Sequence, residues 1–356
     1  MRRGHFDSWL VAAVCFWMLA LSPQAGARDE EVSARLTRQI DAVIAFFPPA
    51  GSKVPPETLA DSLIDTKARQ QLFRLEGLLR LYKRARPDLE KYRLKVKELE
   101  DGLGAYSFAA DSVTFAKDKF KEQNRTQAPN AARQAEQNNV LQSLTHEKDS
   151  ARGVFAKLVE KSTLASDLRT LRPLVVSRFA GWSASKEISY VSGELQRMLK
   201  IVKNGRFDFN NLELGIHEYR RRLRWFPVEV DSLDGLILVR DDPPGACPIP
   251  ALEALAGSAT AKHRYSNPAL RFPAAHPCTI SRCLLWQVVK TTNDLGHVKD
   301  EALGDASIAE ALDNDNYVAT KNTVTPQEIA RAKAIRTELL SSKTLDALMT
   351  QLSSCK

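Results

Sequence analysis

The sequence has 356 residues, of which 44% are hydrophobic and 26% charged, and this excludes a chain too small to build its own core. Its length suits one large or two ordinary domains. The 51 lysine and arginine residues outnumber the 43 aspartate and glutamate residues, giving a net charge of +8. This charge suits phosphate polymers, nucleic acid or an anionic membrane surface, and it does not choose between them.

The first predicted element is a cleavable secretory signal at residues 1–27. Arg2 and Arg3 precede an apolar run at 9–21, and small residues follow at 25–27. This run is shorter than the ~20 residues that span a bilayer. We therefore expect cleavage after Ala27, a net charge of +7 once two arginines and one aspartate are removed, and a periplasmic or secreted chain with no stable membrane insertion.

Long helices are predicted from residue 29 to about residue 205. This stretch is rich in Leu, Ala, Lys, Arg, Glu and Gln, poor in Gly, and apolar at helical intervals. Prolines at 48–56, at Pro87 and near Pro129 interrupt the pattern. Helical hairpins are the expected result.

The first basic amphipathic helix is predicted over residues 66–84. An apolar stripe of leucines and Tyr82 lies beside a basic stripe, and the motif Asp101-Gly102-Leu103-Gly104 follows downstream. The basic stripe has four members: Arg69, Arg80, Lys83 and Arg84.

A second basic helix is predicted around residues 216–226. At about 100° per residue, one basic stripe lies beside an apolar one, and the basic residues are His217, Arg220, Arg221 and Arg224. Like charges three or four positions apart on a helix repel each other. The cluster therefore favours an anion or acidic side chains opposite it, and the alternative is a basic face that is merely solvated.

Residues 241–283 are predicted to form an irregular insertion, because prolines cluster there. Four cysteines remain after cleavage, an even number in an exported chain, so we expect two disulfides. Cys247 would pair with Cys278 or Cys283, and Cys355 with the remaining partner. A metal site at His276, Cys278 and Cys283 is the alternative, and the disulfides are preferred.

Helical texture resumes at Cys283, breaks at the polar residues 313–316, and continues to the C-terminus. Residues 325–328, Thr-Pro-Gln-Glu, predict a helix start. A second copy of the short motif, Asn293-Asp294-Leu295-Gly296, follows the second basic helix and precedes Asp300. The order of basic helix and then D/N-x-L-G thus occurs twice, which favours an internal duplication interrupted by the insertion.

On these motifs the chain resembles the conserved histidine α-helical domain (CHAD) family. Each family repeat begins with H-x-x-R-x-x-x-R-R and continues with D-x-L-G-x-x-x-D. In the second half the matches are His217, Arg220, Arg224, Asn293, Leu295, Gly296 and Asp300; in the first half they are Arg69, Arg74, Asp101, Leu103 and Gly104. Three positions depart from the pattern, namely Thr66, Phe73 and Phe108. The resemblance covers most of residues 57–310.

The sequence and this resemblance together predict an all-α protein of two pseudo-repeats, 57–205 and 206–356, after an N-terminal helix and a Pro-rich linker at 28–56. The resemblance implies binding of inorganic polyphosphate or another polyanion, without a cofactor. The expected polyanion-binding residues are Arg69, Arg74, Arg80, Lys83, Arg84, His217, Arg220, Arg221 and Arg224.

No enzymatic activity is expected, because the sequence contains no zinc-protease, G-x-S-x-G, P-loop or E-x-E-x-K signature. The competing interpretation is a structural protein of the cell envelope that contacts other envelope proteins.

Overall fold

The computed structural model describes residues 32–49, 51–66, 68–127, 130–243, 247, 258–268, 274, 276–312 and 324–355. The predicted signal at 1–27 and the predicted polar break at 313–316 lie outside these residues. Much of the predicted insertion also lies outside them.

Within the described ranges the chain forms twelve α-helices, which confirms the all-α prediction. The helices are α1 (Val32–Ile44), α2 (Pro56–Asp65), α3 (Ala68–Tyr82), α4 (Glu90–Thr126), α5 (Ala131–Lys161), α6 (Leu164–Arg178), α7 (Ala184–Asn204), α8 (Glu218–Ser232), α9 (Ala259–Lys262), α10 (Arg282–Leu312), α11 (Pro326–Ser341) and α12 (Thr344–Ser353).

The helix boundaries follow the prolines and capping residues of the sequence. Pro56 opens α2, and a short 3₁₀ turn at Pro87–Leu89 leads into α4. The side chain of Asn130 caps α5. Thr325 and Glu328 form a reciprocal capping box at the start of α11, as the sequence predicted.

Two short strands depart from the purely helical prediction. β1 (Ile237–Arg240) and β2 (Cys278–Ser281) pair in parallel, with Ile237 opposite Cys278. Each strand has only four residues and adjoins the Pro-rich segment. So short an apolar run gives no strand signal that distinguishes it from the end of a helix.

The core is centred on α3 and α8, which pack against each other. Phe73 and Trp225 meet edge to face with their ring centroids 5.8 Å apart, and further along the helices Gly77 approaches Val228 and Ser232. The two helices therefore run in the same direction. On the outer side α4 packs against α3 and α10 packs against α8.

A buried ion-pair network ties α3 to the end of α8. The side chain of Arg74, 2% exposed, lies 3.5 Å from the carboxylate of Asp231 and 3.1 Å from that of Asp234. A buried charge is tolerated only when it is paired. Arg74 is thus engaged within the fold.

The four cysteines of the described chain form two pairs at disulfide distance. The Cα atoms of Cys247 and Cys283 are 5.9 Å apart, and those of Cys278 and Cys355 are 5.1 Å apart. This arrangement selects one of the two pairings expected from the sequence. It attaches the segment after α12 to β2. None of the helices described above is both long and apolar enough to cross a membrane.

Candidate functional site

A groove of about 1010 Å³ lies between α3, α4, α8 and α10. Its aromatic lining includes Phe73 of α3 and Trp225 of α8, and guanidinium groups cover both of these rings. The Cζ atom of Arg224 lies 4.4 Å from the centroid of Phe73, and that of Arg80 lies 5.1 Å from the centroid of Trp225. The groove therefore combines an apolar lining with positive charge.

Two arginines on the groove pack against the glycines of the two short motifs. A Cβ atom added at Gly104 would lie 2.8 Å from Nη2 of Arg69, and one added at Gly296 would lie 3.0 Å from Nε of Arg220. Real Cβ atoms rarely come this close to other atoms. The absence of a side chain at both positions lets each arginine lie directly against the neighbouring helix.

Arg69, Arg220 and Arg224 form a cluster of like charges in the middle of the groove, hereafter the arginine cluster. Burial, followed by the positive charge of Arg220, lowers the pKa of Arg224 to about 10. Burial likewise lowers the pKa of Arg220; the negative charge of Asp300 opposes this shift, and the positive charge of Arg69 adds to it. The cluster is therefore partly desolvated and mutually repelling, and an anion would relieve both effects.

Most of the other charged side chains that line the groove are already paired. Glu100 accepts a 2.8 Å hydrogen bond from Arg69, and other pairs join Glu76 to Arg93, Glu218 to Arg221 and Arg222, and Asp101 to Lys97.

Arg220 and Arg224 differ from these residues, since neither has an ion pair with any described residue. Arg220 donates to the carbonyl of Thr292 at 3.1 Å, whereas the buried Nε of Arg224 has no hydrogen-bond partner in the described part of the chain.

A single π-helical turn, Leu212–His217, precedes α8 and sets the position of His217 on the groove. The Nδ1 atom of His217 lies 2.8 Å from a carboxylate oxygen of Glu213, and this hydrogen bond lowers the pKa of Glu213. Gly215 permits the turn, because a Cβ atom there would lie 1.8 Å from the carbonyl oxygen of Asp208. π-helical turns occur frequently at functional sites.

The structure brings six of the nine residues expected to bind a polyanion to the groove: Arg69, Arg80, His217, Arg220, Arg221 and Arg224. The other three lie outside the groove lining. Arg74 is buried with Asp231 and Asp234. Lys83 and Arg84 follow the end of α3, where they pair with Glu90 at 3.2 Å and Glu194 at 2.9 Å.

The contribution of α4 to the groove was not predicted from the sequence. Arg93, Lys97 and Phe108 on that helix line the groove, as do Arg222 and Lys299 elsewhere. Arg93 and Lys97 stand four positions apart, so they share a helix face. That spacing was the available sign of a basic face on α4. It does not show which other helix that face lies against.

Among the described residues, no group of three or more His, Cys, Asp and Glu side chains is placed to hold a metal ion. The two cysteines of the alternative metal site, Cys278 and Cys283, belong to different cysteine pairs. Comparison of the chain with protein-family models, with curated proteins and with solved structures gives no match.

Proposed function

We propose that this is an exported protein that binds inorganic polyphosphate or a similar polyanion in the groove, without catalysing a reaction. The arginine cluster is the observation that supports this proposal. Three guanidinium groups from two helices converge there, and two of them lack an ion pair with the described residues. Forked guanidinium donors match phosphate oxygens and remain charged at physiological pH.

The resemblance to the CHAD family points the same way and remains part of the proposal. Arg69 packs on Gly104 and Arg220 packs on Gly296, so corresponding motif positions make the same contact in each half of the chain. The packing of α3 beside α8 brings these two positions to one groove. Two pseudo-repeats with a shared binding surface would account for both observations.

The alternative, a structural envelope protein with solvated basic faces, draws its support from the residues outside the groove. Lys83 and Arg84 are paired with carboxylates and have half-buried or exposed side chains. Because their charges are already neutralised by these carboxylates, they need no added anion. The two interpretations therefore differ in what they expect of the groove.

A pair of matched double variants tests the proposal. Replacing Arg220 and Arg224 by Ala removes two positive charges from the groove, and replacing Lys83 and Arg84 by Ala removes two outside it. Because each charged hydrogen bond contributes ~1.5–3 kcal/mol, removing both guanidinium groups should cost about 3–6 kcal/mol, so we expect the first variant to bind polyphosphate at least ~100-fold more weakly. The second should bind almost as tightly as the parent. Binding would be measured by titration calorimetry, with unfolding midpoints recorded for each variant.

The salt dependence of binding gives a second readout. Neutralisation of phosphates by arginines releases counterions, so the affinity of the parent should fall steeply as salt rises, and the slope should decrease only for the groove variant. Equal affinities for the two double variants, or no binding by the parent at low salt, would rule out the groove as the polyanion site.

A further inference from the structure

We infer that the groove receives the end of a polyanion chain and does not let the chain pass through. This inference rests on the proposed function and concerns which part of the ligand is recognised. It comes from two features of the groove, namely where its walls meet and how the charge of one wall changes along its length.

The walls α4 and α10 meet beyond the arginine cluster. A Cβ atom added at Gly304 of α10 would lie 2.7 Å from the ring of Phe115 of α4, so the two helices touch there. Lys119 bonds to Asp305 just past this contact. A separate apolar cluster then fills the space between the helices, formed by Val113, Ala116, Phe120, Val140, Leu144 and Ile308. The two helices therefore leave no passage between them at this end of the groove.

The α4 wall also becomes negative along the groove. Before Gly104 the cations Arg93 and Lys97 line it together with Glu100 and Asp101, so the charges balance there, whereas Asp111 and Asp118 line it afterwards. At 1.5 Å per residue, Asp111 lies about 10 Å beyond Gly104 along the helix, and Asp118 about 21 Å. Neither aspartate has an ion pair with any residue that the structure describes.

The opposite wall offsets this negative charge only in part. Asp300 of α10 faces the same region and pairs with its neighbour Lys299 at 2.6 Å. Burial raises the pKa of Asp111, an effect that the charges of Arg69 and Lys299 oppose and that the charge of Asp300 strengthens. His217, just before α8, pairs with Glu213, and Arg221 on α8 pairs with Glu218. A chain that continued past the arginine cluster would bring its phosphates against unpaired carboxylates.

A chain end avoids both obstacles. Its terminal phosphate can occupy the arginine cluster, and the rest of the chain can leave along the part of α4 before Gly104, where cations and carboxylates are balanced. A terminal phosphate also carries more negative charge near neutral pH than an internal one, because it has an additional ionisable oxygen. The arginine cluster would therefore favour the terminus over the middle of the chain.

The number of protein molecules bound per chain tests this inference. Linear polyphosphates of increasing length would be saturated with the full chain, and the complexes sized by analytical ultracentrifugation. Because a linear chain has two ends, we expect at most two protein molecules per chain at every length. Occupancy that rises in proportion to chain length would overturn end recognition, while the proposed polyanion binding would stand. No binding at any length would overturn both.

Cyclic polyphosphate provides an independent comparison, because it has no end. Cyclic hexametaphosphate has more phosphates than linear tripolyphosphate, so attraction to charge alone favours the ring. End recognition predicts the opposite order, with the linear trimer binding at least ~10-fold more tightly, which corresponds to about 1.4 kcal/mol. Equal or tighter binding of the ring would contradict it.

The carboxylates can be tested directly with Asp111→Asn combined with Asp118→Asn. Removing these two negative charges, about 10 Å and 21 Å beyond Gly104 along α4, should raise the affinity for the ring by ~3- to 10-fold. The affinity for the linear trimer should change less. The control replaces Asp65 and Asp149 by Asn, two exposed residues on α2 and α5 outside the groove, and it should change neither affinity. An equal gain for ring and trimer would contradict a role in selecting ends.

Discussion

At the scale of single residues, Gly104 and Gly296 determine how closely Arg69 and Arg220 approach the neighbouring helices. Both glycines lie within helices, where Ala is normally favoured by about 1 kcal/mol. Here an added Cβ would press on a guanidinium group. At these two positions intrinsic helix propensity therefore favours Ala, whereas the packing of the groove favours Gly.

We predict that replacing Gly104 and Gly296 together by Ala weakens polyphosphate binding several-fold, because both guanidinium groups must move. The free energy of unfolding should change by no more than about 1 kcal/mol, since the gain in helix propensity offsets part of the strain. Calorimetric binding and urea unfolding would measure the two effects.

Gly153 on α5 supplies the control for this prediction. No atom lies within 4 Å of a Cβ built at Gly153, so Gly153→Ala should stabilise the protein and leave binding unchanged. If this variant lost as much affinity as the double variant, the contacts of the arginines with glycine would not explain the effect.

Glu229 on α8 is a second residue whose surroundings have a measurable consequence. Its side chain is almost fully buried, and the nearest cation, Nε of Arg80, is 3.9 Å away. Burial raises its pKa from 4.5 to about 8. The folded protein therefore holds this proton more tightly than the unfolded chain does, so the stability from this group is greatest below pH 4.5 and falls as the pH rises to about 8.

We predict that Glu229→Gln removes this loss of stability at high pH, because glutamine does not ionise. At pH 9 the variant should exceed the parent in unfolding free energy by on the order of a few kcal/mol, and the difference should shrink at pH 5. Urea unfolding at both pH values checks this, with the exposed Glu98→Gln on α4 as the control. A difference that grew towards low pH would mean that Glu229 is ionised in the folded protein.

The sequence predicted some of the residues that line the groove, but not which basic residues would be paired elsewhere in the fold. Spacings of three and four residues placed Arg220 and Arg224 on one face, and both line the groove. The same spacings could not show that Arg74 would meet Asp231, far along the chain. Ion pairing between distant residues depends on the fold, and periodicity alone does not report it.

At the scale of elements, local signals predicted helix ends and missed the irregular segments. Pro56, Pro87 and Thr325 act through their own backbone and side-chain geometry, so the breaks they predict are present. The π-helical turn at Leu212–His217 depends on the close approach of Gly215 to Asp208. Such an approach leaves no periodic signal in the sequence.

The capping box of α11 supports a prediction at this scale. Thr325 accepts a hydrogen bond from the backbone N–H of Glu328, whose carboxylate accepts one from the N–H of Thr325. Thr325→Ala should lower the free energy of unfolding by ~1 kcal/mol. Thr325→Ser keeps the capping hydroxyl, so it should retain most of that stabilisation. Urea unfolding of the two variants measures the difference. An equal loss in both would assign the effect to the methyl group and not to the hydrogen bond.

At the scale of the whole molecule, the Cys278–Cys355 pair holds the segment after α12 against β2 across 77 residues of sequence. We expect this pair to be oxidised. Replacing both cysteines by Ser should then lower the unfolding free energy by ~2–4 kcal/mol.

The unfolding free energy of the parent, measured with and without reductant, is compared with that of this double variant. Reductant should destabilise the parent more than the double variant, which retains only the Cys247–Cys283 pair. A parent that titrates with four free thiols under denaturing, non-reducing conditions would contradict the prediction.

The pairing also has a consequence for how the chain matures. In order of synthesis the first cysteine pairs with the third and the second with the fourth, so the two covalent loops overlap. When Cys278 first emerges, its native partner has not yet been made, and the cysteine that precedes it most closely in the chain is Cys247. A bond between these two would be non-native. Correct oxidation therefore requires that Cys278 stay reduced until Cys355 appears, or that an early bond be exchanged by a thiol–disulfide isomerase.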